Sequence, residues 1–164
     1  MHSISDANLK GLDKPALYSQ LQKEMAALLE GERDVIANTA NCAALLYHSL
    51  PELNWAGFYF LKGADLVLGP FQGKPACVRI GSARGVCGAA AAAKETLIVP
   101  NVHEFPGHIA CDAASNSEIV VPLLKDDRLL GVLDLDSPVV DRFDRTDASG
   151  LELVVATLLA KSDV

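Results

Sequence analysis

Three cysteines lie within one 35-residue stretch of the chain, each close to glycine, proline or a small residue: Cys77, Cys87 and Cys111. A cysteine thiolate is a nucleophile, a metal ligand and a partner in disulfide exchange. In a reducing compartment, clustered cysteines serve redox catalysis or metal binding more often than structural disulfides. The stretch therefore predicts thiol chemistry or a metal site.

Zinc is the first alternative, because His103 and His108 lie near these cysteines in the sequence and complete the ligand types of a tetrahedral site. The spacing does not favour it. The sequence has no Cys-x-x-Cys or His-x3-His pair, and nine residues separate Cys77 from Cys87. We therefore expect no metal and no organic cofactor. Cys42, the fourth cysteine, lies in the alanine-rich segment NTANCAALL and is predicted to be a core residue.

Three acidic residues form a second candidate group. Asp134 and Asp136 alternate along the strand-like segment GVLDLDS, so they share one face, and two carboxylates ending an apolar strand are costly unless they serve a ligand or partner. Glu118 would lie opposite Asp136 if the hairpin loop consists of the three residues 126–128. A two-residue loop would turn Glu118 to the other face. We predict the three-residue loop.

Trp55 and Tyr59 share a face of the predicted strand NWAGFYFL, with Gly57 between them. The absence of a side chain at Gly57 would leave room for a ligand to approach. On periodicity alone, core packing is the better explanation of both aromatic residues.

The elements that must position these residues indicate an α/β domain. We predict about six mainly antiparallel strands flanked by N- and C-terminal helices, in a single domain of residues 1–164 with its core at about 17–159. Asn101–Asn116, which contains Cys111, has no periodicity and is predicted to be a long functional loop. The predicted helices are 15–30, 34–50, 85–94 and 147–161, the last capped by Asp144, and the predicted strands are 54–61, 66–71, 77–80, 96–99, 118–124 and 129–135.

Composition limits the partners. The formal charge is −7, with 21 acidic against 14 basic residues, which argues against a nucleic-acid partner. Met1–Asp13 is polar and has no secretory-signal pattern, and no apolar run reaches the roughly 18 residues that suggest a membrane span. We therefore expect a cytoplasmic protein that acts on a small ligand and has no membrane partner.

Four segments carry a resemblance to a known family: GPFQGKPACVRI (69–80), RGVCGAAA (84–91), VPNVHEFPGHIACDAASNSEIVVPL (99–123) and GVLDLDSP (131–138). They resemble the free methionine-(R)-sulfoxide reductases, which are built on a GAF domain. The resemblance runs from about Leu17 to Leu159. It implies a GAF-like fold and the reduction of free L-methionine-(R)-sulfoxide to L-methionine. General GAF domains share the fold without these cysteines, so the cysteines carry the functional expectation.

The resemblance also implies roles for individual residues. Cys111 is expected to attack the sulfoxide, Cys77 to be the principal resolving thiol, and Cys87 a supporting or alternative one, with thioredoxin as the reductant. Trp55 and Tyr59 are expected to line the substrate pocket. A homodimer through the terminal helices is a further expectation for a GAF domain.

The acidic group fits such a substrate on chemical grounds. Glu118, Asp134 and Asp136 are assigned jointly to binding the ammonium of the free amino acid and to donating a proton to the sulfoxide oxygen. Carboxylates near Cys111 would raise its pKa and disfavour the thiolate. A bound ammonium would offset part of that effect.

Two other classes of function remain open. A GAF sensor would bind a small molecule without chemistry, and its cysteines could become serine with binding intact. A regulatory thiol protein would form a disulfide in response to oxidant alone, but that function would leave the acidic and aromatic residues unexplained.

Overall fold

The computed structural model describes residues 11–107 and 113–164. Within these ranges, no helix combines the length and the apolar character needed to cross a bilayer. The helices are α1 (Lys14–Leu28), α2 (Val35–Ser49), α3 (Gly85–Ala93) and α4 (Arg145–Lys161). The strands are β1 (Trp55–Lys62), β2 (Asp65–Gly73), β3 (Arg79–Gly81), β4 (Leu97–Val99), β5 (Ser117–Lys125) and β6 (Arg128–Ser137), and a short 3-10 helix covers Val102–Glu104.

The six strands form one sheet in the order β3-β2-β1-β6-β5-β4, and every neighbouring pair is antiparallel. This confirms the predicted α/β class and the mainly antiparallel sheet. Strand β6 lies between β1 and β5, so its side chains have a neighbour on each side. The functional residues predicted on these three strands therefore meet in the middle of the sheet.

The alternation of side chains gives the sheet two different faces. One face packs on α1, α2 and α4 through an apolar core that includes Phe58, Val121 and Leu133. The other face carries a second core, in which Tyr59, Val120 and Val132 pack with residues of α3. Of the four described helices, only α3 covers this second face. The side chains on this face leave space for a pocket.

The hairpin between β5 and β6 differs from the prediction in its loop. The loop has two residues, Asp126 and Asp127, and both have positive φ angles (51° and 61°), as a type I′ turn requires. The register then shifts by one residue, leaving Leu130 as a bulge. Glu118 therefore does lie opposite Asp136, as predicted, but the bulge and not a three-residue loop places it there.

The predicted Asp144 cap of the last helix is confirmed, although α4 begins at Arg145, two residues before the predicted start, and Asp13 caps α1. The Asp13 carboxylate accepts a hydrogen bond from the backbone N–H of Ala16, and Asp144 forms a reciprocal capping box with Asp147. Cys42 is fully buried in the helix-side core, as predicted. The predicted strand 77–80 is wrong at its start, because β3 begins at Arg79 and Cys77 lies in the loop before it.

The terminal helices are held together by a buried carboxylate. Asp147 of α4 is 0% exposed and accepts hydrogen bonds from the Tyr18 hydroxyl (2.9 Å), Arg142 Nη1 (3.2 Å) and Lys14 Nζ (2.5 Å). Two cations and a hydroxyl thus compensate one buried negative charge. This carboxylate is a structural one whose requirements the fold itself meets.

Candidate active site

A pocket opens on the α3 face of the sheet. The pocket, together with the open solvent at its mouth, encloses about 560 Å³. Strands β1, β5 and β6, the first turn of α3 and the loop before β3 all contribute to its walls. Its lining residues are Trp55, Tyr59, Lys74, Pro75, Ala76, Ile80, Arg84, Gly85, Val86, Cys87, Ser115, Glu118, Asp134 and Asp136.

Strand register brings the three predicted carboxylates together in this pocket. Glu118 pairs across the sheet with Asp136, while Asp134 lies two residues away on the same face of β6. On the other side of β6, Asp134 is opposite Gly57 and Asp136 is opposite Trp55. Glu118 and Asp134 are only 6% and 7% exposed, so two acids are almost completely removed from water.

Burial raises the pKa values of two of these carboxyl groups. Desolvation raises the pKa of Glu118 well above its usual range, and the charge of Asp136 adds to the effect. Desolvation likewise raises the pKa of Asp134, with Glu118 as the next cause, and the two side chains are hydrogen-bonded. Both shifts favour the protonated form of the carboxyl, in which it can donate a proton.

Asp134 differs from the structural carboxylate of Asp147 in what surrounds it. Its Oδ1 atom is buried and has no hydrogen-bond partner among the residues that the structure describes. An unsatisfied buried oxygen costs free energy, so a donor from a ligand or a water bound at this part of the pocket wall would be favourable.

Cys87 lies beside the carboxylates. It is the third residue of α3, it is 3% exposed, and its Sγ is 3.9 Å from Glu118 Oε1. Burial, followed by the charges of Asp134 and Glu118, raises the pKa of the Cys87 thiol well above its usual value. The effect that the sequence suggested for Cys111 is thus found at Cys87, which is a neutral thiol at physiological pH.

Aromatic rings of the neighbouring strand β1 form another part of the pocket wall. The Trp55 ring stacks on Tyr59 and Phe71, with centroid separations of 5.9 and 5.3 Å, and its Nε1 donates to the Lys74 carbonyl. A side chain at Gly57 would collide with the Trp55 ring and with Phe71. Gly57 therefore makes room for the indole ring, which corrects the prediction that it leaves space for a ligand.

The remaining predicted residues are placed as follows. Cys77 is half-buried and disulfide-bonded, and its carbonyl accepts a hydrogen bond from the Tyr59 hydroxyl (3.1 Å). Cys111 and His108 lie outside the described residues. The exposed His103 ring is hydrogen-bonded through Nε2 to Asn116 Oδ1 (2.9 Å) and does not line the pocket. Among the described residues, His103 therefore does not join Cys87 in the pocket, as the zinc alternative required.

Three lining residues were missed from the sequence. Lys74 and Arg84 are exposed residues of the pocket wall, and Ser115 is buried in it. The two cations immediately precede the cysteine segments PAC and GVC, so their spacing from Cys77 and Cys87 was an available signal. Both cations and the N-terminus of α3 lie on the pocket wall, and each attracts an anionic group of a ligand.

Comparison with known proteins places these features in context. The GAF domain family matches residues 17–162. The free methionine-R-sulfoxide reductase of Escherichia coli is 52% identical over 147 residues, covering 90% of this chain and 89% of that protein. The structure of a Neisseria meningitidis free methionine-R-sulfoxide reductase in complex with its substrate has a TM-score of 0.92 at 42% identity, covering 98% and 95% of the two chains. A putative GAF sensor protein from Burkholderia vietnamiensis has a TM-score of 0.89 at 56% identity, with 92% and 96% covered.

Proposed function

Because the chain belongs to the GAF domain family and has free methionine-R-sulfoxide reductases among its relatives, we propose that it reduces free L-methionine-(R)-sulfoxide to L-methionine with its own cysteines. The observation that carries the proposal is the buried, unsatisfied Asp134 carboxyl beside a thiol and an aromatic wall. Each of these three features suits one chemical group of the substrate.

Free methionine sulfoxide presents an ammonium, a carboxylate, a polar S=O group and a methyl group. The ammonium supplies the hydrogen-bond donor that Asp134 Oδ1 lacks among the described residues, and Glu118 and Asp136 add carboxyl groups that attract its positive charge. The substrate carboxylate is directed to Lys74, Arg84 and the first turn of α3. The methyl end lies against the Trp55 and Tyr59 rings. Both charged ends of a free amino acid are thereby recognised.

The reaction requires one attacking thiol and one resolving thiol. The Cys111 thiolate attacks the sulfoxide sulfur, a protonated carboxyl of the Glu118–Asp134 pair protonates the oxygen, and the oxygen passes to Cys111 as a sulfenic acid while methionine leaves. A second thiol then attacks the sulfenic acid, which forms a disulfide and releases water. Thioredoxin reduces the disulfide by exchange and restores both thiols.

The thiol environments support this division of roles. Cys87 is held neutral by burial and by the carboxylates, so it is a poor attacking group. Cys77 is disulfide-bonded in this structure, which supports its role as the principal resolving thiol. Cys87 is then a supporting thiol that can act once the negative charge beside it has been neutralised by the substrate ammonium.

The cellular location, the partners and the oligomeric state are part of the same proposal. We place the protein in the cytoplasm, where thioredoxin is available and thiols are kept reduced, and we assign it no nucleic-acid or membrane partner. Catalysis by thiols and carboxylic acids needs no resident cofactor. A homodimer through the terminal helices is part of the same proposal.

The test is NADPH oxidation coupled through thioredoxin reductase and thioredoxin, with the free R sulfoxide, the free S sulfoxide and the N-acetylated R sulfoxide as substrates. Acetylation removes the ammonium but keeps the reacting centre. A site built around a polar group typically rejects an analogue lacking it strongly, so we expect kcat/KM at least about 100-fold lower for the acetylated compound. We expect the S epimer to be a poor substrate as well. Equal turnover of the free and acetylated R sulfoxides would rule out the binding mode proposed here.

A further inference from the structure

We propose that Cys87, Glu118 and Asp134 form a site for a thiophilic divalent transition-metal ion such as Zn²⁺, and that this ion and the substrate exclude one another. The metal site stands on its own geometry. Only the competition rests on the function proposed above. The ion is an inhibitory ligand of the pocket and not a cofactor of the reaction.

The first argument is the spacing of the donor atoms. One atom from each of the three side chains, the Cys87 sulfur and one oxygen from each carboxyl, lies within 4.8 Å of the other two. The Cys87 Sγ to Glu118 Oε1 distance is 3.9 Å. A tetrahedral zinc ion with its usual bond lengths holds a sulfur and an oxygen ligand about 3.6 Å apart, so a shift of a few tenths of an ångström suffices.

The second argument is the unsatisfied oxygen. Asp134 is 7% exposed, it lines the pocket, and its Oδ1 atom has no hydrogen-bond partner in the described part of the chain. Neither Glu118 nor Cys87, which lie beside Asp134, carries a positive charge. A metal ion would satisfy this oxygen directly.

The third argument concerns which ion fits. One thiolate with two carboxylates is a mixed soft and hard donor set, which suits zinc or cobalt and disfavours magnesium and calcium, whose ligands are all oxygens. The donors lie on α3, β5 and β6, which are packed elements, so their positions are fixed before the ion arrives. The fourth coordination position faces the pocket and would be filled by water.

Competition follows from the shared atoms. The same carboxyl oxygens that we assign to the substrate ammonium would be occupied by the ion. A cell with raised free zinc would therefore lose sulfoxide reduction without any oxidation of Cys111.

The test is a Co²⁺ titration of the Cys77→Ser/Cys111→Ser double variant, in which Cys87 and the core residue Cys42 are the remaining thiols. We expect a thiolate-to-cobalt charge-transfer band in the near ultraviolet that Zn²⁺ displaces and Mg²⁺ does not. Adding Cys87→Ser to this background should abolish the band and weaken Zn²⁺ binding more than tenfold, since even loss of an outer-shell partner costs roughly 10–100-fold. No band in the double variant, or an unchanged band after Cys87→Ser, would overturn the site.

An independent variant covers the case in which Cys87→Ser fails to fold. Asp134→Asn in the same background should also weaken Zn²⁺ binding more than tenfold, and unchanged affinity there would overturn the site. The double variant cannot turn over, so free methionine sulfoxide added to its cobalt complex reports competition alone. Bleaching of the band supports exclusion, and a band that persists at saturating sulfoxide refutes it. Failure of the reductase function would appear separately, in the NADPH assay of the unmodified chain.

Discussion

Replacement of Cys111 by serine is expected to lower the turnover of free methionine-(R)-sulfoxide by at least about 10³-fold, because loss of a nucleophile that forms a covalent intermediate typically has effects of this size or larger. A serine hydroxyl is not ionised at neutral pH and cannot accept the oxygen as a sulfenic acid. The measurement is the NADPH-coupled rate at saturating free R sulfoxide, with unaltered far-UV circular dichroism showing that the variant folds.

The other thiols are not expected to take over. Cys87 is kept neutral by its buried, acidic surroundings, and burial likewise raises the pKa of Cys42, which has no exposure at all. Cys42→Ala is the matched control and should retain the turnover of the unmodified chain. Undiminished turnover in Cys111→Ser would exclude Cys111 as the attacking thiol and would direct attention to Cys87.

Replacement of Asp134 by asparagine is expected to make the folded protein more stable at pH 7 while impairing substrate binding. The folded-state pKa of Asp134 is raised well above the unfolded value, so between these two values the native state binds more protons than the unfolded state. The raised pKa of Asp134 therefore has no effect on the free energy of unfolding below the unfolded pKa of about 3.9. It lowers the free energy of unfolding as the pH rises from there towards the folded pKa. Asparagine does not ionise, so the variant does not lose this stability as the pH rises.

The expected gain at pH 7 is on the order of 1 kcal/mol, the size of effect that a shift of about one pKa unit produces, and the difference should become small near pH 4. Urea unfolding at the two pH values measures it. The matched control is Asp147→Asn, which changes another buried aspartate by the same atoms. Because Lys14, Tyr18 and Arg142 compensate the Asp147 charge, this control should lower the free energy of unfolding by about 3 kcal/mol.

The same Asp134→Asn variant should raise the KM for the free R sulfoxide at least about tenfold, since a charged hydrogen bond contributes roughly 1.5–3 kcal/mol. A variant that is more stable but binds substrate more weakly identifies a residue that binds a ligand and destabilises the folded protein. A variant that is less stable at pH 7 and has an unchanged KM would show that Asp134 is instead a structural residue.

The sequence predicted which residues share the site face because a strand alternates with a period of two. That rule placed Trp55, Tyr59, Asp134 and Asp136 correctly once the strands were recognised. It could not predict the hairpin loop. Asp126 and Asp127 both adopt positive φ angles although neither is a glycine, and the bulge at Leu130 restores the register by one residue.

The position of Cys87 could not be read from the sequence either. Helix α3 consists of small residues, GVCGAAAAA, and a helix without large apolar side chains carries no periodic signal of which side it buries. Gly88 brings it close to the backbone around Gly81 and Ala83, where a larger side chain would be crowded. The contact of Cys87 with Glu118 is thus a consequence of tertiary packing. The single-domain boundaries and the role of Cys111 stay predictions.

The most direct test of the central claim is a single-turnover experiment without thioredoxin. The reduced protein, freed of reductant, is mixed with excess free methionine-(R)-sulfoxide, and the methionine and the protein thiols are counted. We expect about one methionine per chain, loss of two thiols, and a Cys77–Cys111 disulfide in the mass-spectrometric peptide map. Sulfoxide that binds to the pocket but yields no methionine would show that the chain is a sensor and not a reductase.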